Sequence, residues 1–144
     1  MLTNKCVNAI IHLYERRRCA LELFEDMILN DSEPVYQQII KYVKIKIHLG
    51  TIQNGDELAS RRMLAGMLGI NPNTVQKAYK LLEESGILTT GSNVKSLVIV
   101  DDKIKESIRD ELTNVAAKDF VDYAKKINLS FKDTVGLITR LWDE

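Results

Sequence analysis

A chain of 144 residues has the length of one small domain with an appendage, which argues against a two-domain enzyme built around an interdomain cleft. Twenty Lys and Arg balance twenty Asp and Glu, so the total charge gives no support for uniform adhesion to nucleic acid or membrane and leaves only local patches. Hydrophobic residues at 45% and charged residues at 28%, with only seven Gly and two Pro, argue against low complexity and disorder.

No apolar run approaches the roughly 18 to 20 residues that span a bilayer, and the first residues lack a signal-type pattern, so a cytoplasmic protein without membrane contact is expected. Cys6 and Cys19 form no CxxC pair, and thirteen residues apart on a helix they point to roughly opposite faces. His12 and His48 add no ligand cluster. No metal or cofactor is expected.

In chain order, residues 4 to 28 read as a helix, because Val7, Ile10, Ile11, Tyr14, Leu21, Phe24 and Ile28 recur at steps of three and four with no Gly or Pro between them. Arg16, Arg17 and Arg18 cross it, fan around the axis and are offset by Glu15, Glu22 and Glu25, so they read as a solvated face. A polar break at Asn30 to Pro34 leads to a helix from Val35, with Val35, Ile39, Ile40, Val43 and Ile47 apolar and Gly50 closing it. Thr51 to Glu57 is a turn. A short helix capped by Ser60 carries Leu64, Ala65 and Leu68 and stops at Gly69. Asn71-Pro72 then opens a helix whose Val75, Ala78, Tyr79 and Leu82 follow the i, i+3, i+4, i+7 pattern of a buried face, ending at Ser85-Gly86. Tyr79 therefore reads as core rather than as a stacking platform for a base.

Two helices joined by a Gly-containing turn are a helix-turn-helix. Ile87-Leu88 and Leu97 to Val100 read as strands of a hairpin with a long irregular tip, which makes the whole a winged helix. A long helix over about 103 to 127 places Ile104, Ile108, Leu112, Val115, Phe120, Tyr123 and Ile127 on one stripe. Ser130 and Asp133 resemble a capping box that opens a last helix with Phe131, Val135, Ile138, Leu141 and Trp142 apolar. The short break predicts an antiparallel helical hairpin whose apolar faces need a partner, most economically a second copy. The expected fold is thus mostly α with a small β hairpin. Residues 1–30 form an N-terminal helical extension, 31–101 the winged helix-turn-helix, and 102–144 a two-helix dimerisation region.

Residues 27 to 98 hold eight basic against six acidic side chains, and residues 99 to 144 eight against ten, a weak asymmetry consistent with DNA contact by the centre. Placement says more than the sum. On the helix from Pro72 to Glu84 the positions not needed for burial are Asn73, Thr74, Gln76, Lys77 and Lys80, and no acid occurs before Glu83. Insertion into a major groove requires this, since carboxylates repel phosphates, Asn and Gln pair with adenine, and Thr meets a base edge or a phosphate. Arg61 and Arg62 open the preceding helix, which crosses the backbone in such motifs and brings them near phosphate or guanine. Asn71 at the cap, and Asn93 and Lys95 near the wing tip, complete the candidate contacts.

These residues carry a resemblance. Pro34-Val-Tyr-Gln-Gln-Ile39, Gly50-Thr-Ile-Gln-Asn-Gly-Asp-Glu-Leu58, Ser60-Arg-Arg-Met-Leu-Ala65, Gly69-Ile-Asn-Pro-Asn-Thr-Val-Gln-Lys-Ala-Tyr79 and Leu82-Glu-Glu-Ser-Gly-Ile87, in that order, resemble the GntR family of bacterial transcription regulators. The Asn-Pro-Asn-Thr-Val block and the short tail are similar to its YtrA-type branch. The resemblance spans about residues 33 to 144. It implies a dimer whose winged domains read an inverted repeat in double-stranded DNA, two C-terminal helices for dimerisation, no large effector domain, and target genes that often include ABC transporters. It implies DNA contact by Arg62, Asn73, Thr74 and Gln76, a wing-tip role for Gly91, and capping plus phosphate contact for Ser60.

Three positions depart from the family's pattern. Ala59 stands where the family usually has Pro, loosening the helix entry. The wing, Thr89-Thr-Gly-Ser-Asn-Val-Lys-Ser96, lacks the usual basic residues and second glycine, which weakens the case for minor-groove contact. Residues 1 to 26 have no counterpart, and Met27 onward resembles the start of a typical member, so they are either an extension specific to this protein or the product of an upstream start.

The expectation is a homodimeric, sequence-specific transcriptional regulator, more a repressor than an activator. The rival is a winged-helix interaction module without sequence-specific DNA binding. Against it, the face of Asn73, Thr74, Gln76 and Lys77 carries no large apolar anchor. No constellation of catalytic residues supports an enzyme. With the tail taken up by dimerisation, a small-molecule effector would have to use the dimer seam or a cleft between domains.

Overall fold

The computed structural model describes residues 20–91 and 95–144. Cys6, Cys19, His12, the Arg16 to Arg18 run and the wing-tip Asn93 lie outside the described residues. Among the described residues, five α-helices and a small antiparallel sheet follow in the order α1 (Val35–His48), β1 (Glu57–Leu58), α2 (Arg61–Leu68), α3 (Pro72–Glu84), β2 (Leu88–Thr90), β3 (Ser96–Val98), α4 (Asp102–Lys126) and α5 (Phe131–Trp142). The chain divides after Glu106 into two compact units.

In the first unit the buried faces of α1 (Ile39, Val43, Ile47), α2 (Leu64, Ala65) and α3 (Val75, Ala78, Tyr79, Leu82) form the core, and Ile87, Leu88 and Val98 are buried with them at the sheet. These are the positions that helical spacing assigns to the inside, because residues three and four apart share a face. The sheet has three strands in the order β1-β3-β2, with Glu57 opposite Leu97, Leu58 opposite Ser96, and Leu88 opposite Val98. The expected hairpin is therefore present, with an additional two-residue strand laid along its other edge.

The expected helix over residues 4 to 28 does not hold in its described part. From Ala20 the chain makes a turn and a single 3-10 turn, Glu22–Phe24, and is irregular from Met27. Tertiary contacts override the apolar spacing here. An α-helix needs the Leu23 carbonyl for the Met27 N–H, but the Tyr42 hydroxyl lies 2.9 Å from that carbonyl and the Met27 N–H bonds to Phe24 instead. Phe24 stacks on Tyr42 with centroids 5.5 Å apart. Asp26 accepts from the Tyr42 hydroxyl and from Lys46 Nζ at 2.6 Å. The Gln38 amide then holds the next segment through the Asn30 N–H and the Asn30 and Glu33 carbonyls. Residues 20 to 33 are thus a strap tied down along α1.

Hydrogen bonds from Lys46 first and Tyr42 second hold the Asp26 carboxyl below its ordinary value of 3.8. A depressed acid contributes stability that is fully present above the unfolded value and lost as pH falls through the folded one. The stability difference between the wild type and Asp26→Asn should therefore be constant from pH 7 down to about 5 and vanish as the pH drops below about 3.8, checked by urea titration at each pH.

In the second unit α5 begins as expected: Ser130 Oγ accepts the Asp133 N–H at 3.1 Å and donates to its carboxylate at 2.6 Å. Asn128, at φ 56°, turns the chain between α4 and α5. The expected stripe on α4 holds only in part. Ile108 is buried and Ile104, Leu112 and Phe120 are half-buried, whereas Val115, Tyr123 and Ile127 are exposed and Ala124, not on the expected stripe, is buried. At about 100° per residue the seven positions spread over about 160° of the helix, wider than a single contact stripe. No residue of α5 is buried.

Candidate nucleic-acid interface

The exposed surface of α3 is built by what its other side must bury. Val75, Ala78, Tyr79 and Leu82 are inaccessible, which leaves Asn73, Gln76, Lys77 and Lys80 exposed and Thr74 half-buried on the remaining arc. The helix start is fixed by the Asn71 side chain, which accepts the Asn73 N–H at 2.8 Å, and by Pro72 at the first helical position. Asn71 thus serves as a cap. No acidic residue lies in the first turn, so the positive end of the helix dipole is uncompensated by side chains of α3.

The turn before α3 depends on Gly69, whose φ of 66° is unfavourable for a residue with a Cβ, and on the Ile70 N–H returning to the Ala65 carbonyl. The Tyr79 hydroxyl crosses from α3 to the Ala59 carbonyl at 2.8 Å, just before α2. Burial pushes that hydroxyl's pKa well above its ordinary value of 10.0, and the nearby Arg61 charge opposes the shift. This bond ties the entry of α2 to α3 through the backbone carbonyl of residue 59, a group that alanine and proline supply alike. Ser60 caps α2 by accepting the Met63 N–H at 3.2 Å. Arg62 is exposed beside it, while Arg61 is half-buried with its Nε buried and unpaired.

The basic residues differ in their partners. Lys95 lies 3.0 Å from Glu57, joining β1 to the strand side of the wing, and Lys80 lies 3.9 Å from Glu84. Lys77 instead rests with its ammonium 3.7 Å from the centre of the Tyr36 ring. Glu83, the first acid of α3, is hydrogen-bonded to Thr90 of β2. Gly91 is exposed at the near side of the wing tip without a positive φ. The structure thus brings Asn73, Thr74, Gln76, Lys77 and Lys80 together on one helix, with Ser60, Arg61 and Arg62 at the start of the helix before it. Two partners were missed from sequence: Glu57 for Lys95 and Tyr36 for Lys77. Neither follows from local spacing, because each partner sits on another element about forty positions away.

Comparison with known proteins gives this geometry its relatives. Residues 35–98 match the family model described as bacterial regulatory proteins, gntR family. The chain is 29% identical over 105 residues to the HTH-type transcriptional regulator YhcF of Bacillus subtilis, an alignment covering 73% of this chain and 87% of that protein. It is 49% identical over 59 residues to the HTH-type transcriptional repressor YtrA of the same organism, covering 41% of this chain and 45% of the repressor. A solved structure described as a GntR family transcriptional regulator from Listeria monocytogenes superposes with a TM-score of 0.72 at 29% identity, covering 78% of this chain and 98% of that one. These relatives are transcriptional regulators rather than enzymes.

Proposed function

We propose that this chain, whose residues 35–98 match the model of the GntR family of bacterial regulatory proteins, is a DNA-binding transcriptional regulator, and more finely a sequence-specific repressor that reads an inverted repeat as a homodimer. Residues 31–101 bind DNA, residues 102–144 dimerise, and residues 1–30 are an N-terminal extension whose described part, from Ala20, is tied to the first helix of the binding domain. The α3 helices of the two subunits occupy successive major grooves about 34 Å apart. Asn73, Thr74 and Gln76 read bases, and Ser60, Arg61, Arg62, Lys77 and Lys80 meet phosphates or a groove edge. Asn71 fixes the helix end, and Gly91, Asn93 and Lys95 lie at the wing. An operon encoding an ABC transporter is the gene class that the YtrA-type resemblance suggests, and a small effector would act at the dimer seam.

The observation that carries the reading is the division of α3 into a fully buried apolar side and an exposed side of amide and basic residues that is free of carboxylate until Glu83. The repressor direction rests on the 49% identity to a named repressor over 59 residues. Among the described residues no helix is long and apolar enough to cross a membrane.

Selection of purified protein on random duplex DNA at fixed salt tests the reading. An enriched inverted repeat with steep salt dependence supports it, and absence of any enrichment overturns it in favour of a protein-binding winged helix. On the enriched duplex, Arg62→Ala should weaken binding by between about fivefold and two hundredfold, since one good bidentate pair is worth about 1 to 3 kcal/mol. Equal affinity for the variant in a fluorescence anisotropy titration removes Arg62 from the interface.

A further inference from the structure

Of the three lysines near the reading surface, only Lys77 is held by a neutral group. Lys80 and Lys95 face the carboxylates of Glu84 and Glu57, so a phosphate that draws on either ammonium competes with a carboxylate already there. The Lys77 ammonium sits 3.7 Å above the Tyr36 ring, where the attraction comes from the ring's quadrupole and consumes neither the charge nor the N–H donors that point away from the ring. The ring is itself positioned: Tyr36 lies in the first turn of α1, is half-buried, and its hydroxyl accepts from Gln37 Nε2 at 3.2 Å. Glu33, just ahead of α1, is paired with Lys41 at 3.8 Å, so this nearby carboxylate is engaged elsewhere.

We propose that Tyr36 is a positioning residue of the DNA interface, whose ring holds the Lys77 ammonium in place as the principal lysine contact to a backbone phosphate. This rests on the reading of α3 as the DNA-binding helix. A lysine on an exposed helix otherwise samples many rotamers and must lose that freedom when it binds. Fixing the ammonium beforehand moves that cost into folding, while the cation keeps its charge for the phosphate and releases counterions from DNA in full.

The test measures the affinity of full-length protein for the duplex enriched by selection, across a series of salt concentrations, for the wild type, Tyr36→Leu, Tyr36→Phe, Lys77→Met and the double variant Tyr36→Leu/Lys77→Met. Lys77→Met should lower the slope of log affinity against log salt by about 0.9 for each phosphate that is no longer neutralised. Tyr36→Leu should weaken binding severalfold and lower the slope toward that of Lys77→Met, Tyr36→Phe should bind as the wild type does, and Tyr36→Leu should cost nothing further once Lys77 is methionine. A loss of equal size in the Lys77→Met background overturns the proposal, since the ring would then act only through folding. An unchanged slope for Lys77→Met overturns it without any use of the Tyr36 variants. Wild-type protein that binds no duplex overturns the DNA-binding reading itself and this proposal with it, whereas wild-type binding with indifferent variants overturns this proposal alone.

Discussion

Phe24→Ala is expected to lower the unfolding free energy by about 3 to 5 kcal/mol, the range for removing a buried phenylalanine side chain, and to depress Tm by on the order of 10 °C or more. Phe24 is 1% exposed and stacked on Tyr42, although it lies ahead of the residues that match the family model. Leu23 is buried beside it, and the Asp26 carboxylate closes the strap against Tyr42 and Lys46. A version beginning at Met27 loses all three groups, so it should melt lower than the full chain for the same reason. Calorimetry on the full chain, Phe24→Ala and the shortened version checks both expectations. If the shortened version is as stable as the full chain, the strap is not part of the winged domain's stability and residues 1 to 26 are an addition of no structural weight.

The strap also marks where sequence reasoning stops. The helices of the winged domain were legible because their signals are local: a Pro ahead of Val35, an Asn-Pro pair at Asn71, a Gly at position 69, and apolar steps of three and four between them. The same local rule read residues 20 to 28 as helix and failed, because the competitor for the Leu23 carbonyl is a tyrosine nineteen residues away. β1 was missed for a related reason. Two residues have no periodicity, and Glu57 and Leu58 become a strand only by pairing with Leu97 and Ser96. Within the candidate interface, the polar arc of α3 could be read from the sequence, since burial of one face dictates exposure of the other. The partners that separate Lys77 from Lys95 could not, since they depend on how α1 lies against α3 and β1 against β3.

Placing aspartates at Ile138 and Leu141 should convert a dimer into a monomer and reduce operator affinity by about a hundredfold or more. The reason lies in α5, where apolar Phe131, Val135, Ile138, Leu141 and Trp142 recur at steps of three and four, yet none is buried and both Phe131 and Trp142 are 86% exposed. A single chain that leaves such a stripe in water forgoes roughly 25 cal/mol for each Å² of apolar surface that a partner could cover. In the proposed dimer a second copy would offer the same stripe and close the assembly by twofold symmetry. In the proposed dimer, operator binding would depend on that closure, because two linked half-site readers benefit from an effective concentration that raises affinity by about 10² to 10⁴ over one reader alone. Sedimentation equilibrium should show the wild type as a dimer and the double aspartate variant as a monomer that keeps its helical circular dichroism. The monomer should still bind a single half-site at low salt with the affinity of one wild-type subunit, since the α3 face is untouched. A double aspartate variant that remains dimeric refutes the assignment of α5 to the interface, and a monomeric variant that binds the full repeat as tightly as the wild type refutes the dependence of recognition on dimerisation.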